Sequence, residues 1–206
     1  WPGFVPLEWP IALFDGIRTL LLHHPSPPPG FVPLPDRPGV LAMPGRHPAV
    51  TSNSVREIGG ARTATVAVRP GRGAEDAMLA VVEELFHVFW NRRHTSFRPN
   101  EMARYAYPVG NERHLRLLLA EDEAFARALE AEDPARAAGW AAAALGIRRE
   151  RGPLLSDEDR AFETGLEMME GTANAVARSV VGERPESTGA RLRAERRPED
   201  VRWRFY

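Results

Sequence analysis

The chain has 206 residues, 43% of them hydrophobic, enough for one substantial core or two small ones. With 27 basic and 28 acidic residues the net charge is -1, so no global field draws the chain to nucleic acid or to an anionic membrane, and nucleic acid is not an expected partner. Cysteine is absent, which excludes disulfides, thiol catalysis and thiolate metal sites; any metal must be held by His and carboxylate. Every basic residue is Arg, which together with the abundant Ala, Gly and Pro reads as codon bias rather than chemistry. A start at Trp1 without an initiator Met fits a processed or trimmed chain and leans toward a secreted or periplasmic setting. No segment approaches the ~20 apolar residues of a membrane span.

Twelve of the 19 prolines fall within residues 1–48, which disfavours long helices there and marks that stretch as a proline-rich N-terminal segment. Its one expected helix runs from Ile11 to Leu22, where Leu13, Phe14, Ile17, Leu20 and Leu21 fall on a helical period after Pro10. Gly39 to Met43 and Ala61 to Val68 are the strand candidates, the second entered through a Gly59-Gly60 turn. After Gly71-Arg72-Gly73 the composition changes to helix formers. A central helix begins with Glu75 and Asp76 in its first turn, where acids suit the helix dipole. A long helix follows from about Asn111 to Ala131, then one opened by Asp133-Pro134. Ser156 with Asp159 forms a capping pair for a last long helix that Gly182 closes. Strands first and helices later predict an α+β fold, with residues 49–182 as the principal domain and 183–206 as an Arg-rich C-terminal segment with a solvated mixed surface.

The chemistry concentrates in two of these helices. From Ala77 to Trp90 only Glu83, Glu84 and His87 interrupt an apolar run. A helix that is apolar all round is buried, and buried carboxylates cost several kcal/mol or more unless a partner compensates them; a cation is the simplest partner. Glu83 and His87, four residues apart, share a face, with Glu84 about 60° round from His87. In the last helix Glu163, Glu167, Glu170 and Asn174 fall in one stripe beside the apolar face of Phe162, Leu166, Met169 and Ala173. One carboxylate from that stripe would complete a three-ligand metal site with an open fourth position.

Glu83-Glu84-Leu85-Phe86-His87 resembles the His-Glu-x-x-His helix of zinc-dependent metallopeptidases, with Glu in place of the first His. Glu170-Gly171-Thr172-Ala173 resembles the Glu-Gly-x-Ala segment that supplies the third ligand in members of the gluzincin type. The resemblance covers roughly residues 61–181 and implies a mainly helical metallopeptidase-like domain acting on a peptide or protein substrate. It implies Zn²⁺ held by His87 and Glu170, with Glu83 in the remaining ligand position and Glu84 as the general base. Two carboxylate ligands leave a Zn²⁺ site formally neutral, which weakens its pull on a bound water and makes harder cations such as Mn²⁺ competitive.

Other readings stay open on the residues alone. Glu83, Glu84 and His87 could form a buried polar network with Arg92 or Arg113. The stripe of acids on the last helix could be solvated surface. Glu84-x-x-His87 with Glu167-x-x-Glu170 could serve a helical di-metal carboxylate protein, although such sites draw a Glu-x-x-His from each of two helices. The domain could also be a non-catalytic protein-binding module. His94 falls on the face of Glu83 and His87 but ~10 Å further along the helix, which suits a helix-end or surface His, and His23, His24, His47 and His114 stand in no ligand spacing.

Overall fold

A computed structural model describes residues 1–68, 71, 73–95, 97 and 99–194. The fold is α+β, a six-stranded mixed sheet followed by helices. No helix among the described residues is long and apolar enough to cross a membrane. The chain forms two compact units, the first Trp1–Phe97 with Met168–Gly182, the second drawn from residues 99–167 and 183–194.

In the first unit the strands are β1 Ile11–Phe14, β2 Arg18–Leu22, β3 Val32–Pro33, β4 Val40–Pro44, β5 Ser54–Ile58 and β6 Ala61–Ala67, in the spatial order β3-β4-β2-β1-β6-β5. All neighbours are antiparallel except β1 and β6, which run parallel with Ile11 beside Ala64. The sheet therefore takes strands from both sides of residue 48.

The expected helix over Ile11 to Leu22 is instead the β1–β2 hairpin. Asp15 and Gly16 decide it. The Asp15 side chain accepts from the backbone N–H groups of Ile17 and Arg18, both at 2.9 Å, and Gly16 takes a φ of 98° that a side chain would resist. Ile17, placed on the buried face by the helical period, lies at the turn and is 81% exposed, whereas Ala12 and Leu21 are fully buried. An apolar run of this length satisfies both periods, and the Asp-Gly turn chemistry wins.

Helix α1, Ala74–Arg93, follows β6 and packs on the sheet through Leu85 and Val88 against Ile11, Ala64 and Val66. Its other side meets helix α5, Thr172–Val181, where Ala173 and Val176 pack on Phe86, Phe89 and Trp90. The N-terminal segment adds aromatic rings to this layer: Trp1 and Phe4 stand edge-on to Phe86 with centroids 5.7 and 5.2 Å away. The second half of α1 is thus enclosed on all sides, so its polar residues are fixed in position by the packing of their neighbours.

The second unit holds α2 Glu112–Glu130, α3 Pro134–Arg151, α4 Asp157–Leu166 and α6 Pro185–Ala194. The caps fall where the sequence places them: Asn111 accepts from His114 N–H, Asp133 from Ala135 and Arg136, and Ser156 with Asp159 closes a capping box. Gly182 ends α5 in the left-handed conformation with φ 75°. The expected last long helix is present, helical from Asp157 to Val181, with α4 and α5 joined by a π-helical turn, Glu167–Gly171. Helix α6 lies in the segment expected to be only an Arg-rich surface, and Arg193 there pairs with Glu123 and Glu130. The rest of that segment, residues 195–206, lies outside the described residues.

Candidate metal centre

Three side chains converge in the first unit. Glu83 and His87 project from one face of α1, a turn apart, and Glu170 reaches them from the π-helical turn. His87 Nε2 lies 3.3 Å from a Glu170 carboxylate oxygen, and one donor atom from each residue falls within 4.8 Å of the others. A tetrahedral ion with bonds of about 2.1 Å keeps its donors about 3.4 Å apart, so a small inward adjustment of Glu83 suffices to ligate a cation. The His87 side chain is only 11% exposed while that of Glu170 is 45% exposed, so the cluster is rooted in the core and opens to solvent on the Glu170 side.

The electrostatics match this placement. Burial pushes the Glu84 carboxyl up to about 7; the His87 charge opposes that rise, and the nearby Glu83 and Glu170 carboxylates reinforce it. Burial also raises Glu83, with His87 opposing and Glu170 reinforcing. For His87 burial disfavours the imidazolium, but the hydrogen bond and charge of Glu170, with the carboxylates of Glu84 and Glu83, outweigh it and the net shift is upward. Without a cation, a single imidazole faces three acids. The two arginines considered from the sequence are elsewhere: Arg92 sits over the Trp9 ring and Arg113 pairs with Glu150. The charges of Arg178 and Arg56 instead ease the ionisation of Glu83 and Glu84 respectively, without cancelling the upward shift of either.

Comparison with protein-family models, with curated proteins and with solved structures gives no match. The site is therefore argued from its own geometry.

The stripe foreseen on the last helix is divided. Glu163 accepts from Arg151 at 2.7 Å and from the Tyr107 hydroxyl at 3.0 Å, and Glu167 is held by both terminal nitrogens of Arg148 at 2.7 and 2.8 Å. Only Glu170 joins His87. The π-helical turn, Glu167–Gly171, lies between Glu163 and α5. Glu84 is buried beside the cluster and makes no hydrogen bond or ion pair among the described residues. His94 caps α1 and stacks on Trp90 with centroids 4.1 Å apart, away from any ligand role.

Of two further residues near the cluster, Asn174 closes the expected stripe and Arg178 is not singled out by spacing. Arg178 Nε donates to Asn174 Oδ1 at 2.7 Å, and the Arg178 charge favours the Glu83 carboxylate. Their signal in the sequence is the four-residue step from Glu170 to Asn174 to Arg178 along α5.

Proposed function

We propose that the first unit is a metal-dependent, peptidase-like hydrolase domain in which Glu83, His87 and Glu170 hold a divalent cation and Glu84 is the general base. The observation that carries this reading is the convergence of those three donors from two elements, with a fourth, unpaired acid buried beside them. When bound, a divalent cation supplies Lewis-acid polarisation of a carbonyl and lowers the pKa of a water. Glu84 supplies the proton transfers. Its carboxyl is raised to about 7 in the metal-free protein; a cation beside it would favour the carboxylate, which would accept a proton from water and return it to a departing amine. The apolar wall of Leu85, Phe86 and Val88 keeps competing water from the back of the site.

The resemblance to gluzincin-type metallopeptidases supports peptide or protein as substrate and Zn²⁺ as the metal. The two carboxylate ligands point toward a slow hydrolase that also accepts Mn²⁺. A di-metal carboxylate site is less well supported, since Glu167 is engaged by Arg148 rather than free to ligate. Metal analysis of the purified chain tests the reading: one divalent ion per chain, lost in His87→Ala and in Glu170→Ala, supports it, and no bound ion in the unmodified chain rejects it.

A further inference from the structure

Beside the C-terminal half of α1 lies a cavity of about 530 Å³, within the size range of small-molecule sites. It sits where β1 and β6 begin and β2 finishes, and every lining residue belongs to the first unit. Trp9, Pro10 and Val88 give it an apolar wall, and Arg62 and Arg92 line it as well. The stretch of α1 that borders it, Val88 to Arg92, is centred roughly 110° round the helix from Glu83 and His87 and about 8 Å further along. No residue of the donor cluster lines it.

The cations of this cavity are uncommitted. Neither Arg62 nor Arg92 forms an ion pair or a side-chain hydrogen bond among the described residues, and both are exposed. Arg92 rests over the Trp9 ring, 5.6 Å from guanidinium carbon to centroid, which orients the guanidinium and leaves its N–H groups for another partner. Glu57 stands opposite Arg62 in the strand register without pairing to it, and Glu8, the acid of the lining, pairs with neither arginine. The Trp9 indole N–H is enclosed and has no hydrogen-bond partner, so the wall carries a further unsatisfied donor.

Part of the wall is preformed. His24 Nε2 donates to the Ile58 carbonyl at 2.8 Å and its Nδ1 accepts from the Ser26 N–H at 3.2 Å, which pins the loop carrying the lining residues His23 and Pro25 to the end of β5. Gly59 lets that loop approach closely, since a Cβ there would collide with the Ser26 carbonyl.

We propose that this cavity binds a small organic anion with an aromatic body, its carboxylate held by Arg62 and Arg92 and its ring placed against Trp9, Pro10 and Val88. The guanidinium fork matches a planar carboxylate, and the apolar wall rewards the ring, so both ends of the ligand are recognised. A small anion without a body gains nothing from the wall, and a neutral ring leaves the guanidiniums without a counter-charge. The site stands apart from the metal-site reading and does not depend on it.

Titration calorimetry of the full chain with naphthoate, in the presence of a chelator, tests the proposal. Saturable binding of one naphthoate per chain is expected, with neutral naphthylmethanol and with acetate each at least about 10-fold weaker. Arg62→Gln and Arg92→Gln should each weaken naphthoate about 3- to 10-fold, and Glu8→Gln should tighten it by removing a like charge. Arg37→Gln, in the β3–β4 turn, and His87→Ala should leave it unchanged. Absence of saturable binding, equal affinity for naphthoate and naphthylmethanol, unchanged affinity in both cavity arginine variants, or loss of binding in His87→Ala overturns the proposal, the last by assigning the anion to the donor cluster. None of these outcomes bears on whether Glu83, His87 and Glu170 hold a cation.

Discussion

His87 Nε2 meets a Glu170 carboxylate oxygen at 3.3 Å, a contact that ties the most enclosed helix of the first unit to a π-helical turn. Because Glu83 shares the face of His87, this one contact turns two separate acidic helices into a donor cluster.

Binding of a cation there should stabilise the fold by mass action. At a free concentration one hundred times the dissociation constant the gain is about 2.7 kcal/mol. The expected outcome is a rise in melting temperature with Zn²⁺ or Mn²⁺ in the unmodified chain and no rise in His87→Ala or Glu170→Ala. Differential scanning calorimetry with and without a chelator reads this directly.

Glu84 is assigned to proton transfer rather than to ligation, and the two roles separate in one variant. Glu84→Gln should keep the bound metal and lower peptide hydrolysis by about 10²- to 10⁴-fold. Loss of the metal together with activity would make Glu84 a ligand and remove it from the role of base.

The pH dependence of the metal-free protein has a definite sign. Glu84 is raised to about 7, so between about 4.5 and about 7 it holds in the folded chain a proton that the unfolded chain has released, and Glu83, also raised, acts in the same sense. Stability is greatest below that window and falls as pH rises through it. His87, raised above its ordinary 6.5, acts in the same sense, because the stabilisation of its imidazolium is lost on deprotonation. The Glu84 contribution is about 3 kcal/mol. Chemical denaturation with a chelator present should show stability falling from pH ~5 to pH ~8, with Glu84→Gln flattening the curve. Added metal should give its largest benefit at the high-pH end, since cations compete with protons for these groups.

His114 gives the opposite sign in the second unit. It is fully buried, packs edge-on against Tyr107, and neither ring nitrogen has a hydrogen-bond partner. Burial and the nearby Arg151 charge lower its pKa, so below about 6.5 the unfolded chain takes up the proton first and stability falls as pH falls. Replacing a buried, unpaired imidazole by an apolar group of similar volume removes both penalties. His114→Leu should raise stability by about 1–3 kcal/mol and weaken the loss at acid pH; a destabilised variant with the same acid limb would contradict this.

Arg151 is a different case, although it is nearly as deeply buried. It donates to Glu121 at 3.0 Å and to Glu163 at 2.7 Å, and its side chain is 1% exposed. Arg151→Met removes the shared cation but leaves Glu121 with Arg148 at 2.6 Å and Glu163 with the Tyr107 hydroxyl at 3.0 Å, and should cost about 1–3 kcal/mol. The triple variant that also carries Glu121→Gln and Glu163→Gln should recover part of that loss in urea denaturation.

Much of this architecture is legible in the residues. Strands β4 and β6, the Gly59-Gly60 turn and the caps at Asp133 and Ser156 carry local chemistry that tertiary contacts do not overrule. Glu83 and His87 are legible for the same reason, being expensive groups in an apolar helix. What escapes has no local mark. The β1–β2 hairpin shares its apolar pattern with a helix, and only Asp15-Gly16 separates the two. Arg151 looks like any arginine near a helix end until Glu121 and Glu163 fold over it. The π turn involves a change in hydrogen-bond partner, not in composition, and a regular 3.6-residue period therefore groups Glu163 and Glu167 with Glu170.

That turn makes the donor cluster depend on the length of a segment as well as on its letters. Deleting either Met168 or Met169 would leave every acid in place but shorten the π-helical turn that carries Glu170. The spacing between Glu167 and Glu170, and not only the identity of the acids, is thus part of what a change to this segment would alter.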